Sequence, residues 1–265
     1  MKIILFGSNG MLGQYVFIVL KQKYEIECIT RDKYDIEHES WDKLEILLKN
    51  IVKKDDVIIN CAGVIPQKYD STNYKTYIKI NTLFPHKLSE LSNRYDNKFI
   101  HITTDCVYDG KKGDYSIEDE HTAKDIYGVS KSLGEPSNAT VIRTSIIGEE
   151  LTGKKSLIEW VKSKKDNKIN GYTNHFWNGV TCLTLANIIE TIIDKNDFWK
   201  GVKHVCSENI ASKYELCSYI NEIYKLNINI EKYEDSISKN MTLSSDSIII
   251  RKNIYQQIEE QYQFI

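Results

Sequence analysis

The sequence has few of the features that mark secreted, membrane-spanning or nucleic-acid-binding proteins. It contains three prolines among 265 residues, and its 35 basic and 37 acidic residues leave a formal net charge of −2. No apolar run approaches the ~20 residues that cross a membrane, and the run before Gly7 is too short for a signal-peptide core. Since no block of like charges occurs either, we expect no nucleic-acid or membrane partner and a cytoplasmic location.

Cysteine and histidine are present but without a pattern. The six histidines show no metal-ligand spacing, and the six cysteines are scattered along the chain without close pairs. We therefore expect neither a disulfide framework nor a metal site. The cysteines are Cys28, Cys61, Cys106, Cys182, Cys206 and Cys217.

The order of the apolar runs predicts the fold. Short apolar segments alternate with helical patterns through the first 145 residues, which is typical of repeated strand–helix–strand units and a parallel sheet. With 41% hydrophobic residues the chain can bury such a sheet. We predict an α/β fold with a doubly wound parallel sheet of the Rossmann type. The predicted strands cover residues 2–6, 25–30, 56–60, 99–103 and 140–143.

After about residue 145 the alternation weakens. Segments 156–164, 183–194 and 213–224 have the pattern of amphipathic helices, which predicts a smaller, mainly helical lobe. We place the sheet domain at residues 1–145 and the lobe at 146–265, with some later segments returning to the sheet. The scarcity of proline and the lack of a low-complexity linker indicate that the lobe packs directly on the sheet.

A glycine-rich segment, GSNGMLGQ at residues 7–14, follows the first predicted strand. Gly7 allows a tight turn, Gly10 lets backbone approach a pyrophosphate, and Gly13 lets helix and strand pack closely. The helix that follows offers free amide donors and a positive dipole. The segment predicts a dinucleotide site, although a glycine-rich turn without a ligand has the same pattern.

A second motif, YGVSK at residues 127–131, places Tyr127 and Lys131 four residues apart in a predicted helix, on the same face. An ammonium beside a phenol lowers the pKa of the phenol, and the pair can then give a proton to a developing alkoxide. A solvated lysine beside a half-buried tyrosine is the structural alternative. Thr103, Thr104 and Asp105 end the fourth strand, where a hydroxyl can bond a substrate oxygen or simply complete the strand.

Together these motifs resemble the extended short-chain dehydrogenases/reductases and, within them, nucleotide-sugar reductases of the dTDP-4-dehydrorhamnose reductase type. The resemblance spans most of the chain. The segments that carry it are GSNGMLGQ at 7–14, NCAG at 60–63, TTDCVYDG at 103–110, YGVSK at 127–131, IRTSIIG at 142–148 and WNGVT at 177–181.

The resemblance implies hydride transfer from a nicotinamide to the ketone carbon of a nucleotide-linked 4-keto-6-deoxyhexose. Tyr127 would donate the proton, Lys131 would hold the nicotinamide ribose and tune Tyr127, and Thr104 would bond the carbonyl oxygen. Asn81 would support the active-site helix, and the lobe would bind the nucleotide-sugar substrate. The implied substrate positions are Asp105, Cys106, Trp177 and Asn178, with core packing as the alternative for Trp177.

The resemblance also implies which residues hold the cofactor. Arg31 comes first after the second predicted strand and can accept the extra phosphate, so we favour NADP(H), while Asp32 leaves NAD(H) open. Asp35 and Ile36 would lie beside the adenine, or form an ordinary loop pair. The implied cofactor positions are Gly7, Asn9, Gly10, Met11, Leu12, Gly13, Arg31, Asp35, Ile36, Cys61, Ala62, Gly63, Asn81, Thr103, Tyr127 and Lys131.

Two departures from the family pattern bear on the substrate. Cys106 stands where many rhamnose-type reductases have Tyr, and related epimerase-reductases use a Cys nearby as an acid or base. Its thiol could titrate near neutrality beside a lysine and add epimerase activity, or it could only line the pocket. Residues 241–244 (MTLS) lack the Arg that often precedes a Leu-Ser pair in the family.

Two further functions stay open. Some proteins of this fold bind NADP and a partner enzyme as regulatory subunits without turnover. A 4,6-dehydratase or 4-epimerase with bound NAD would fit Asp105, but the dehydratase pattern has Glu where Cys106 stands. A homodimer is the expectation for a soluble enzyme of this size.

Overall fold

The computed structural model describes residues 1–150, 153–244 and 248–264. Its first half alternates strands and helices. The elements are β1 (Lys2–Phe6), α1 (Met11–Leu20), β2 (Glu25–Ile29), α2 (Trp41–Ile51), β3 (Val57–Asn60), α3 (Tyr74–Tyr77), a π-helix (Ile78–Leu83), α4 (Phe84–Arg94), β4 (Lys98–Thr104), a 3₁₀ turn (Asp105–Val107), α5 (Ile126–Ser132) and β5 (Thr140–Thr144).

In the described part of the second half, strands alternate with four helices. Its elements are β6 (Ile146–Ile147), α6 (Leu157–Lys162), β7 (Lys168–Tyr172), β8 (His175–Trp177), β9 (Val180–Thr181), α7 (Cys182–Asp194), β10 (Gly201–Ser207), β11 (Ala211–Ser212), α8 (Lys213–Ile223), β12 (Asn229–Tyr233), β13 (Lys239–Asn240), β14 (Ile248–Ile250) and α9 (Ile254–Phe264).

A seven-stranded parallel sheet in the order β14-β10-β5-β4-β3-β1-β2 forms the centre of the molecule. β1 and β3 are apolar and buried on both faces, as the interior strands of a doubly wound sheet must be. The chain order reverses between β1 and β3, so the crevice for a ligand opens beyond their carboxyl ends. The predicted α/β Rossmann fold is confirmed.

Helices cover both faces of this sheet. On one face α1 and α7 pack against each other through side chains such as Leu12, Val16 and Ile189. On the other, α2 and α4 bury Leu44 and Leu88 against β1 and β3. This burial from both sides holds the carboxyl ends of the strands in one row, where the candidate site lies.

Three elements of the second half, β10, β14 and α7, belong to the sheet layer. The five predicted strands are present with ends shifted by a residue or so, but β10 and β14 also join the large sheet. Their signals are weak because β10 carries Lys203 and His204 and β14 has only three residues. The helix predicted at 183–194 belongs to the sheet layer, since α7 packs on α1 rather than in the lobe.

The lobe is built from α6, α8 and α9 with short two- and three-stranded sheets. A separate apolar cluster, including Ile158, Leu216 and Ile258, joins these helices. Helix α8 begins with a capping box in which the side chains of Ser212 and Glu215 bond each other's backbone amides. The helices predicted at 156–164 and 213–224 correspond to α6 and α8.

The glycines after β1 let three backbone segments approach closely. Gly7 has φ +79°, and a Cβ atom there would lie 2.5 Å from the amide nitrogen of Ala62. A Cβ atom at Gly13 would lie 2.1 Å from the carbonyl oxygen of Gly7. Helix α1 can therefore start directly above β1 only with glycine at this position.

We expect Gly13→Ala to lower the free energy of unfolding by about 3 kcal/mol, because the methyl group collides with backbone that cannot move without shifting β1. Urea unfolding would measure this. Gly63→Ala is the matched control, since its Cβ atom would find its first neighbour at 3.4 Å, an ordinary contact. An equal loss in the two variants would contradict the packing argument.

Candidate active site

The crevice at the carboxyl ends of β1 and β3 has the shape that a dinucleotide needs. The amide of Gly10 donates to the carbonyl of Gly7 at 2.9 Å, and no side chain among the described residues caps α1. The first-turn amides of this ten-residue helix therefore remain directed at the crevice. On the opposite side the amide of Ala62 is fixed by Asn60 Oδ1 at 3.0 Å. The residues present fit a bound dinucleotide.

The end of β2 presents one arginine to this crevice. The guanidinium of Arg31 donates to the hydroxyl of Tyr69 at 2.9 Å and lies 3.9 Å from Asp35 Oδ2. The Asp35 carboxylate is hydrogen-bonded within its own loop, because it accepts from the Glu37 amide and the His38 ring. Arg31 is mostly exposed, so its guanidinium can turn toward a phosphate.

Helix α5 brings the two residues of the second motif to the end of β4. Asp125 caps the helix by accepting from the amide of Gly128 at 2.9 Å. One turn apart on its inner face, Tyr127 interacts with the Thr104 side chain, and the Lys131 ammonium donates to the Ile102 carbonyl at 2.9 Å. Thr104, Tyr127 and Lys131 therefore meet at one strand end.

Asn81 joins this helix to the dinucleotide crevice. In the π-helix, its amide group bonds both backbone groups of Val64, with Oδ1 accepting at 2.9 Å and Nδ2 donating at 3.0 Å. Nδ2 also donates to Ser130 Oγ in α5 at 3.1 Å. The turn after β3 and helix α5 are thereby held in a fixed relation.

Burial is the largest influence on the pKa values of Tyr127 and Lys131 in α5. It lowers the pKa of the Lys131 ammonium to about 8, opposed by the charges of Glu135 and Cys61. It raises the pKa of Tyr127, and the negative charge that Cys106 and Asp105 would carry adds to the rise. The sequence predicted a lowered Tyr127 pKa, whereas the structure gives a net upward shift because desolvation outweighs its favourable contact with Thr104.

Of the two alternatives for Cys106, the structure favours a thiol that lines the pocket over one that titrates near neutrality. Burial and the neighbouring Asp105 carboxyl raise the pKa of the thiol to about 12. Its sulfur donates to Asp105 Oδ1 at 3.6 Å, and the same oxygen accepts from Thr104 Oγ1 at 3.1 Å. Burial likewise raises the pKa of Asp105. At neutral pH the thiol is therefore protonated.

A cleft of about 360 Å³ opens beside Cys106, between the sheet domain and the lobe. Carboxylates and ammonium groups both face it. Its lining residues are Cys106, Tyr108, Asp109, Lys111, Ala123, Lys124, Asp125, Lys239 and Met241.

Three of the predicted substrate residues do not line this cleft, and one of them, Asp105, is buried beside Cys106. Trp177 is buried in the apolar cluster of the lobe. The side chain of Asn178 is saturated by backbone, since Nδ2 donates to the Leu243 carbonyl at 2.8 Å and Oδ1 accepts from the Leu243 amide at 2.9 Å. Asn178 therefore fixes the segment after Met241 rather than reaching the cleft. Thr103 is also buried, and its hydroxyl bonds no residue in the described part of the chain.

Sequence reasoning missed Lys213, the first residue of α8. Its ammonium interacts with Asp105 and Cys106 across the domain boundary, and burial lowers its pKa. Nothing in the sequence singles out this lysine among many, because its proximity depends on how the lobe packs. Within residues 1–150, 153–244 and 248–264 no cluster of His, Cys, Asp or Glu could hold a metal, and no helix is long and apolar enough to span a bilayer.

Comparisons of sequence and fold show which known proteins this chain is similar to. The family model described as the RmlD substrate binding domain matches residues 1–239. A dTDP-4-dehydrorhamnose reductase of Mycobacterium tuberculosis is 26% identical over 165 residues, 58% of this chain and 52% of that protein. The chain thus matches about half the length of this curated relative.

Two further proteins extend the comparison over most of the chain. The spore coat polysaccharide biosynthesis protein SpsK of Bacillus subtilis is 26% identical over 230 residues, 83% of this chain and 78% of that protein. The structure of a dTDP-4-dehydrorhamnose reductase from Bacillus anthracis in complex with NADP has a TM-score of 0.79 at 19% identity, covering 99% of this chain and 97% of that one. An identity this low supports the fold alone.

The buried Lys131 ammonium makes stability depend on pH. Its pKa is about 8 in the folded protein and 10.5 ordinarily, so the unfolded state binds more protons between these values and the free energy of unfolding rises with pH there. In Lys131→Met this contribution is absent. We expect the stability of the variant, relative to wild type, to fall as the pH rises from about 7 to about 10.

Urea unfolding across this pH range would measure the difference. Lys200→Met, which changes an exposed lysine, is the control and should track the wild type throughout. A Lys131→Met difference that is independent of pH would show that the ammonium titrates normally.

Proposed function

Because the chain belongs to the family described as the RmlD substrate binding domain, we propose that it is an NADPH-dependent reductase of nucleotide-linked 4-keto-6-deoxyhexoses. Its reaction reduces the sugar ketone to an alcohol and serves deoxysugar biosynthesis for surface glycans. Two relatives, a dTDP-4-dehydrorhamnose reductase and a spore coat polysaccharide biosynthesis protein, bear names that agree with this proposal.

One observation carries the proposal: the side chains of Thr104, Tyr127 and Lys131 meet at the end of β4, next to a crevice that fits a dinucleotide. Hydroxyl, phenol and ammonium groups in this arrangement suit proton donation to a carbonyl oxygen. The cleft beside Cys106 adjoins the same point and can take the sugar.

Each residue has a separate task in the reduction. Thr104, whose single O–H donates to Asp105 Oδ1 in the structure, would turn this proton to the ketone oxygen, and Tyr127 transfers its phenolic proton to that oxygen as negative charge develops. The raised pKa of Tyr127 keeps the phenol protonated before reaction. Lys131, already buried one turn away, orients the ribose and stabilises the phenolate that remains.

The nicotinamide cofactor supplies the hydride when bound. In the proposed arrangement the backbone around Gly7, Gly10 and Gly13 would hold its pyrophosphate, and the turn at residues 61–63 would help to bind it. Arg31 would pair with the 2′-phosphate of NADP(H). Asp32 leaves NAD(H) possible, because its carboxylate could accept hydrogen bonds from the ribose hydroxyls of that cofactor. We therefore favour NADPH over NADH as the physiological reductant.

Oxidation of NADPH, followed by absorbance, tests the function directly. The purified protein is incubated with dTDP-, UDP-, GDP- and CDP-linked 4-keto-6-deoxyhexoses, each with and without a separate 3,5-epimerase. Turnover that requires the epimerase supports a rhamnose-type reductase and identifies its nucleotide. Turnover without it indicates direct reduction or a second, epimerase activity at Cys106. No turnover with any sugar, together with retained NADPH binding, would favour a regulatory subunit.

We expect Tyr127→Phe to lower kcat by about 10²- to 10⁴-fold while NADPH affinity stays largely unchanged, because the variant keeps the ring and loses only the proton. Steady-state kinetics and NADPH fluorescence titration measure the two quantities. Tyr262→Phe, which changes an exposed tyrosine on α9, is the control. Full turnover by Tyr127→Phe would overturn the catalytic assignment.

For Arg31→Ala we expect NADPH affinity to fall roughly tenfold and NADH affinity to change little, because only NADPH carries the phosphate that the guanidinium would pair with. Arg94→Ala removes another exposed arginine, on α4, and should leave both affinities unchanged. If Arg31→Ala weakened both cofactors equally, Arg31 would not distinguish the phosphate.

A further inference from the structure

Arg143, in β5, is a buried cation whose five N–H donors all have partners. Nε and Nη2 donate to the two carboxylate oxygens of Glu135 at 3.0 and 2.7 Å. Nη1 donates to the Tyr108 hydroxyl at 2.6 Å and to His204 Nε2 at 3.0 Å. Nη2 also donates to His121 Nε2 at 2.7 Å. A guanidinium has five such donors, so none is left for a ligand.

The two histidines have defined tautomers. Since a guanidinium can only donate, Nε2 of His121 and of His204 must accept, and each proton lies on Nδ1. His121 Nδ1 then donates to Ser132 Oγ, 2.6 Å away at the end of α5. Burial and the adjacent guanidinium lower the pKa of both rings, that of His204 to about 3, so both are neutral.

Three of the four partners of Arg143 come from the two structures that must be aligned for catalysis, and the fourth, His204, lies in the neighbouring strand β10. Glu135 follows helix α5, which carries Tyr127 and Lys131. Tyr108 and His121 belong to residues 105–125, which we call the cleft wall because most of the cleft lining lies in it. Arg143 is therefore the point at which the catalytic helix and the cleft wall are tied together.

Tyr108 extends this connection to the far side of the cleft. Its hydroxyl donates to the Ser116 carbonyl at 2.9 Å while accepting from Arg143, and its ring stacks on Tyr115 with centroids 4.1 Å apart. The Tyr115 amide in turn donates to the Thr242 carbonyl at 2.9 Å, next to Met241 of the cleft. Replacing Arg143 would thus disturb the contacts that position both sides of the cleft.

Stability alone gives no reason for such a cluster. A buried ion pair loses about as much through desolvation as it gains by attraction, and apolar side chains of similar volume are often equally stable. What the cluster does specify is orientation, because a planar fork with five bonds has one arrangement.

We propose that Arg143 is a positioning residue that fixes the cleft wall relative to the catalytic helix, and thereby holds the bound sugar ketone against Tyr127. The inference rests on the proposed reductase function for its kinetic part. Arg143 contacts neither cofactor nor substrate in this arrangement and acts through Tyr108.

A double-variant cycle with Arg143→Lys and Tyr108→Phe tests this. Lysine keeps the charge but cannot make the five bonds, and we expect kcat to fall about a hundredfold, as for a displacement of roughly 1 Å. Tyr108→Phe removes two bonds, the one accepted from Arg143 and the one donated to the Ser116 carbonyl, and should lower kcat about tenfold. Because both break the same connection, the double variant should be no slower than Arg143→Lys alone. NADPH affinity should stay within about twofold in all three.

Tyr224→Phe is the matched control, because it removes a buried hydroxyl beside Glu149 that contacts neither Arg143 nor the cleft lining, and its kcat should be unchanged. If the two kinetic losses multiply in the double variant, or if Arg143→Lys retains full kcat, the positioning role is wrong. Should Arg143→Lys fail to fold, Tyr108→Phe alone decides: unchanged kcat would overturn the proposal.

Hydrogen exchange separates this proposal from the reductase assignment. The amides of Tyr115, Thr122 and Ala123 are bonded within or across the cleft wall. We expect them to exchange at least tenfold faster in Tyr108→Phe, with the strand amides of Ile3 and Ile58 unchanged. A wild-type protein without turnover would refute the proposed function, and the exchange rates would still decide whether Arg143 orders the wall. Unchanged exchange at these three amides would overturn the proposal.

Discussion

The buried ammonium of Lys131 constrains how the rest of the site is arranged. A charge removed from water must find hydrogen-bonding partners within the protein, and here Nζ donates to the Ile102 carbonyl at 2.9 Å. That bond exists only when α5 lies against the end of β4. Asn81 then connects Ser130 of the same helix to the turn after β3. The hydrogen bonds of Lys131 and Asn81 thus join β4, α5 and the turn after β3, which are distant in sequence. The candidate site lies where these segments meet.

A second buried cation, Arg143, lies in β5, the strand that follows β4 in sequence and pairs with it in the sheet. The contrast between the two is informative. Arg143 uses all five donors on protein groups, whereas Lys131 makes one hydrogen bond within the described chain and has a lowered pKa. A saturated cation can only hold its neighbours in place. An unsaturated one keeps donors for a ligand, which is what a ribose-binding residue needs.

Much of the fold could be predicted because its causes are local. The glycine spacing at Gly7 and Gly13 and the apolar strands β1 and β3 are sequence patterns, and the structure confirms the parallel sheet they predict. The pairing of Tyr127 with Lys131 follows from helical spacing alone. What escaped prediction depends on contacts between distant segments: the place of α7, the saturation of Asn178 by Leu243, and the proximity of Lys213 to Asp105. The elevated pKa of Cys106 also escaped prediction, since the burial that causes it depends on the folded structure.

The two departures from the family pattern lie in one place. Cys106, where many rhamnose-type reductases have Tyr, and Met241, at the segment that lacks the usual Arg, both line the same cleft. A cysteine takes less volume than a tyrosine ring, and the nearby lysines Lys111, Lys124 and Lys239 supply positive charge that the missing arginine does not. Thr104, Tyr127 and Lys131 all fit the pattern. Under the proposed function, we therefore expect these departures to change which sugar nucleotide is accepted, while Thr104, Tyr127 and Lys131 keep the reaction the same.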